Sequence, residues 1–198
     1  YYRPRDRGLE DDPYAGATDL AQLVTDPWFH QQNVYAIVMA TLGDFEAALG
    51  RPVGWGFESP AHQLKVAPHA FADPNAYYSR DSESLNFGYF TGKSGQTVFT
   101  CLSRDVVAHE TAHALLDGLH SFYLYPSHPD QAGFHEGFAD LVALLSVLQS
   151  TELVAHSLAG LADRRNLIPS AKLTRQRLAE NALLALAEEF GRELRDIR

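Results

Sequence analysis

The chain has 198 residues, 45% of them hydrophobic and 21% charged, with a formal net charge of −9. That length and apolar fraction suit one globular domain or one and a half, and the acidity argues against nucleic acid or an anionic membrane as partner, because phosphate binding needs clustered Lys and Arg. The single Cys101 excludes an internal disulfide, and no apolar run reaches the roughly 18 residues of a membrane-crossing helix.

The first residue is Tyr1, and no basic segment followed by an apolar core opens the chain, which therefore reads as a fragment or a processed form. Residues 1–18, with Arg3-Pro4-Arg5 and Glu10-Asp11-Asp12-Pro13, are charged and broken by Pro and Gly, and read as an extended arm or linker. A helix is expected from Asp26-Pro27, with Pro at a tolerated first-turn position. It runs through Val34, Ile37, Val38, Leu42, Phe45 and Leu49 at helical spacing and ends at Gly50. From Arg51 to Leu102 the period changes, and strands are expected over 63–66, 77–79, 85–90 and 97–102. Gly92-Lys93-Ser94 fails as a phosphate loop, since Gly88 stands four residues before Gly92 rather than five and a strand follows. Residues 91–96 read as a hairpin turn.

His109-Glu110-Thr111-Ala112-His113 comes next. Residues four apart share one face of a helix, so His109 and His113 can offer two imidazole nitrogens to one metal ion, with Glu110 placed to take a proton from water. The surrounding helix, 105–117, is apolar nearly all round, and such a helix is buried. Burying two histidines and a glutamate without partners would cost several kcal/mol. At 22 positions beyond His113 comes His135-Glu136-Gly137-Phe138-Ala139-Asp140. Glu136 and Asp140 repeat the four-residue spacing on a second helix, 134–148, which is also read as apolar and buried. Glu136 can supply an oxygen ligand, and Asp140 can accept the outer N–H of a ligating histidine. The constellation reads as a zinc hydrolase site, with His135 at most beside the ligands. Gly118 is expected to end the first helix in the left-handed conformation, leaving His120 in a loop. From Thr151 to Arg198 further helix is expected, through Leu153, Leu158, Leu161, Leu173, Leu178, Leu183, Leu186 and Phe190, broken near Arg164-Arg165-Asn166 and Ile168-Pro169.

The chain resembles the zincins with a glutamate ligand, and among them the thermolysin-like metallopeptidases. Asp105-Val106-Val107-Ala108-His109-Glu110 has the pattern leading into that family's first zinc helix, and Glu136 and Asp140 match its third ligand and supporting carboxylate. Asn75-Ala76-Tyr77-Tyr78, then Leu85-Asn86-Phe87-Gly88, resembles its edge strand, whose Asn-Ala pair holds the substrate backbone. The likeness covers roughly residues 27–149. The metzincin continuation fails, because Leu116 and Leu119 stand where its glycine and third histidine belong.

The resemblance implies an α+β zincin-like fold, with a mixed sheet and an active-site helix followed by a mainly helical C-terminal part. The divisions are an arm (1–18), a catalytic domain (19–150) and a helical segment (151–198). It implies zinc held by His109, His113 and Glu136, with Glu110 as general base and Asp140 behind a ligand. It further implies a peptide or protein substrate along an edge strand at Asn75 and Ala76. Tyr123 and Tyr125 are candidates for stabilising the oxyanion. Three features depart from the family. Its distant catalytic histidine has no counterpart, His156 being the only later one; Val147 replaces a calcium-binding carboxylate; and no pro-segment is visible. A chain lacking part of its catalytic apparatus is therefore expected, to be completed by a segment beyond Arg198. The alternative is a zincin of little or no activity that serves as a binding or regulatory module.

Overall fold

The structure, a computed structural model, describes residues 13–125, 127–163, 167–174 and 176–177. The chain divides into two compact units, Tyr1–Leu144 and Leu145–Arg198. The first is a mixed α+β unit. Pro13 to Gly16 form a turn tied to the chain that follows: the Tyr14 hydroxyl donates to Asp26 Oδ2 at 2.9 Å, and its ring meets Phe29 edge-on. The end of the expected arm is thus anchored, while residues 1–12 lie outside the described residues. A short helix not anticipated, α1 (Leu20–Thr25), precedes α2 (Pro27–Leu49). Asp19 accepts from the Gln22 amide of α1 and Asp26 from the Trp28 amide of α2, which satisfies first-turn donors a helix leaves unpaired. α2 ends at Gly50 with φ +66°, as its glycine suggests.

Strands β1 (Lys65–Phe71), β2 (Ala76–Ser79), β3 (Ser84–Thr91) and β4 (Thr97–Phe99) form one open mixed sheet in which β3 is central. β1 runs parallel to β3; β2 and β4 run antiparallel to it. β1 begins later and runs longer than expected. Pro68 and His69 hid its full extent, yet among the described residues it pairs with β3 alone, and the register slips between Ala67 and Phe71, around a residue with no N–H to give. The 91–96 turn is a hairpin, closed by the Gly92 amide donating to the Gln96 carbonyl. Beyond Phe99 the expected strand gives way to a 3₁₀ turn, Thr100–Leu102. There the Thr100 hydroxyl donates to the Gly88 carbonyl at 2.9 Å.

Helix α3 (Arg104–Leu119) packs against α2, β2 and the 3₁₀ turn, while α2 also meets β1. Val34, Leu85, Phe87, Val107, Ala108, Ala112 and Leu115 make the core. Gly118 does not end α3. The helix continues through it to Leu119, and a Cβ at Gly118 would collide with the Gly54 carbonyl, so this glycine serves a close backbone approach rather than a left-handed cap. His120 is the residue after the helix, its ring against Phe122 and Tyr123.

α4 (Pro129–Leu148) begins five residues earlier than expected and is not buried all round: within the first unit, Phe134 and Leu141 are exposed. An apolar composition reads as burial in a sequence, but the side facing solvent here carries apolar groups too. In the second unit α5 spans Thr151–Leu158, carries His156, and gives way to a turn at Leu161. The Lys172 ammonium donates to the Leu161 carbonyl at 3.0 Å. Leu173 lies outside any helix, and Arg164 to Asn166, Leu178, Leu183, Leu186 and Phe190 lie outside the described residues. No helix among the described residues is long and apolar enough to cross a membrane.

Candidate metal centre

α3 is buried on every side but one. Val106, Val107, Ala108, Glu110, Thr111, Ala112, Ala114, Leu115, Leu116 and Asp117 are inside, while His109 and His113 form a half-buried stripe one turn apart. Asp105 in the first turn complements the helix dipole. Across from the stripe, Glu136 on α4 brings a carboxylate oxygen 3.3 Å from His109 Nε2 and 3.7 Å from His113 Nε2, and the two Nε2 atoms are 3.0 Å apart. In tetrahedral zinc, bonds of about 2.0–2.2 Å place neighbouring donors roughly 3.3–3.5 Å apart. The three observed separations bracket that edge, so His109, His113 and Glu136 could together hold one metal ion.

The ring nitrogens facing away from this point are also engaged. His109 Nδ1 lies 3.0 Å from Asp140 Oδ1. A carboxylate only accepts, so Nδ1 holds the proton and Nε2 keeps its lone pair toward the cluster. His113 Nδ1 lies 2.7 Å from His135 Nδ1, with the two ring planes 5° apart. A ligating Nε2 on His113 requires the proton on Nδ1, so His135 accepts there and carries its own proton on Nε2, a buried atom with no partner among the described residues. Burial, then the neighbouring His109 and His135, push the His113 pKa down to about 3, which keeps the imidazole in its ligating neutral form. His135, expected at most beside the ligands, lies directly against the His113 ring.

Glu110, the residue after His109 on α3, is buried, 7% exposed. Burial raises its pKa to about 7, against the lowering effect of a hydrogen bond from the Tyr78 backbone, with Glu136 adding a further rise. Tyr78 lies in β2, which among the described residues pairs with β3 alone. Asn75 and Ala76 stand at the head of that strand. The Asn75 side-chain oxygen accepts from the Ala76 amide at 2.9 Å, and its carbonyl accepts from the Gly88 amide and the Thr100 hydroxyl. Tyr123 packs at a tilt against His120 and Phe134; Tyr125, 57% exposed, lies below the Arg80 guanidinium.

One group that sequence reasoning missed secures the arrangement. Asp117, 1% exposed, accepts from the Tyr78 hydroxyl at 2.7 Å and from Arg80 Nε at 2.8 Å, with a second bond from Arg80 Nη2. This pins β2 to α3 one turn beyond His113. A carboxylate in an otherwise apolar helix was the available signal.

Compared with protein-family models, with curated proteins and with solved structures, the chain gives no match in any of the three.

Proposed function

We propose that the chain is a zinc-dependent peptide-bond hydrolase of zincin-like fold, resembling the thermolysin-like metallopeptidases. The observation that carries this reading is the convergence of His109, His113 and Glu136 to within 3.7 Å of one another, with a buried carboxylate on the residue next to the first ligand. Three protein donors leave a position open, as catalytic rather than structural zinc sites do. Zinc, when bound there, supplies Lewis acidity, lowering the pKa of a coordinated water toward about 7 and polarising a carbonyl.

The chain's own residues do the rest. Glu110, with its pKa near 7, is suited to accept a proton at neutral pH and hand it to a leaving amine. Asp140 and His135 fix the tautomers of His109 and His113. A substrate peptide adds to β2 by main-chain hydrogen bonds, near Asn75 and Ala76. Because Tyr78 of the same strand bonds to Glu110, such a peptide would run beside the base.

A second reading is a zinc-binding module with little hydrolysis, and a specific observation favours it: among the described residues the ring contacts of Tyr123 and Tyr125 are with His120, Phe122, Phe134 and Arg80 rather than with the three ligands. One missing donor to a developing oxyanion costs about 2.7–4 kcal/mol. Metal analysis paired with peptide-library cleavage, on the parent and on Glu110→Gln, separates the readings. The hydrolase gives zinc in both proteins and cleavage only in the parent. Zinc without cleavage in either supports the module, and absence of zinc ends both.

A further inference from the structure

A second cluster of metal-ligating atoms lies elsewhere in the first unit. His30 on α2, His69 on β1 and Cys101 on the 3₁₀ turn present Nδ1 or Nε2 and Sγ atoms within 4.8 Å of one another. His30 is 1% exposed and Cys101 fully buried. The three residues come from separate elements, so no single helix or turn accounts for their meeting. We propose that His30, His69 and Cys101 form a second, thiolate-containing metal site, one that ties α2 and β1 to the turn from which α3 sets out.

The orientation of His30 carries the argument. Its Nε2 lies 2.9 Å from the Val24 carbonyl. A carbonyl only accepts, so Nε2 bears the proton and the Nδ1 lone pair faces the cluster. Ligating histidines are held in this way, with the outer N–H on a carbonyl or carboxylate. His30 Nδ1 and His69 Nε2 are 2.7 Å apart. Without a metal that contact is a hydrogen bond donated by His69; with one, both nitrogens turn lone pairs inward and separate by about 0.6 Å to reach a tetrahedral edge of about 3.3 Å. Phe99 packs against both rings, at 4.7 and 4.8 Å, and Tyr89 against His69, giving the apolar wall that limits solvent access to a buried site.

The donors also select the ion. Two imidazoles and a thiol suit zinc or a soft copper ion rather than calcium or magnesium, which take oxygen. Burial keeps both imidazoles neutral, with the His69 pKa pushed down to about 4, and pushes the Cys101 thiol up to about 12. Without a cation that thiol stays protonated and unreactive. On binding, the metal ion forms a bond to sulfur, and one proton passes from Cys101 to solvent. Cys101 stands two residues before Ser103, the N-cap of α3, so the ion would hold the start of the helix that carries His109 and His113.

Cobalt(II) substitution on the whole chain tests this independently of hydrolysis, because the His109 site contains no sulfur. Two cobalt ions per chain and a thiolate-to-cobalt charge-transfer band in the near-ultraviolet are expected. Cys101→Ser should drop the stoichiometry to one and abolish the band, while the double variant His109→Ala/His113→Ala should drop it to one and keep the band. His69→Gln serves as a second probe should Cys101→Ser fail to fold, and it too should lose the band. A cobalt-saturated parent without the band, or a band that survives His69→Gln, overturns the proposal.

Discussion

Glu110 shows how one residue can cost stability and still suit a reaction. Its ordinary pKa of 4.5 is raised to about 7, mainly by burial. A raised pKa means that this group's effect on stability is most favourable below about pH 4.5 and is lost as pH rises through 7, where a buried charge must form. In metal-free protein, Glu110→Gln should therefore be more stable than the parent at pH 8, with the gap reaching up to roughly 3 kcal/mol and closing toward pH 4.5. Denaturant unfolding in the presence of chelator measures it, and an equal gap at both pH values would refute the account. In zinc-loaded protein the same variant should retain metal and lose about 10²–10⁴-fold in turnover. Asp140 acts through His109. Asp140→Ala should weaken zinc binding by about tenfold, the low end of the usual range for such partners, because this carboxylate is 76% exposed and screened by water. Unchanged affinity in a competition titration would remove Asp140 from the site.

At the scale of elements, the join between α3 and β2 decides whether base and substrate edge lie together. Asp117 is buried between Tyr78 and Arg80. Arg80→Ala leaves that carboxylate without its cation, a loss of about 3 kcal/mol, at the lower end for a broken buried pair because the Tyr78 hydroxyl remains. Unfolding free energies of Arg80→Ala, Tyr78→Phe and the double variant should be non-additive, since the groups share one acceptor; simple additivity would mean that the network is not a unit. Two helical glycines offer a paired test. Gly43 on α2 has open space around it, so Gly43→Ala should stabilise by about 0.5–1 kcal/mol. Gly118→Ala should destabilise instead, because its Cβ meets the Gly54 carbonyl. Melting temperatures moving in the same direction would show that helix propensity, not the close approach, governs Gly118.

For the whole molecule, bound metal is part of folding, since an ion that binds only the folded chain stabilises it by mass action. Free zinc at a thousand times its dissociation constant contributes about 4 kcal/mol. For a chain of this size that corresponds to a fall of roughly 8–16 °C in melting temperature on chelation. Calorimetry before and after chelator, and after zinc is returned, reads it. A melting temperature indifferent to both treatments would mean that neither cluster holds an ion in the folded protein.

Local spacing made much of this legible from the residues alone. Four-residue separations put His109 with His113 and Glu136 with Asp140 on common helix faces, Pro27 and Gly50 marked the ends of α2, and a short run set off by turn-forming residues marked β3. Such patterns depend on backbone geometry within a few residues, which sequence carries directly. Contacts between distant segments do not leave that trace. His135 meeting His113, Asp117 gathering Tyr78 and Arg80, and Gly118 pressed on Gly54 each depend on where another element lies. The gathering of His30, His69 and Cys101 is the clearest case, because 39 and 32 residues separate them and only the packing of α2 on β1 and the 3₁₀ turn brings their donor atoms together.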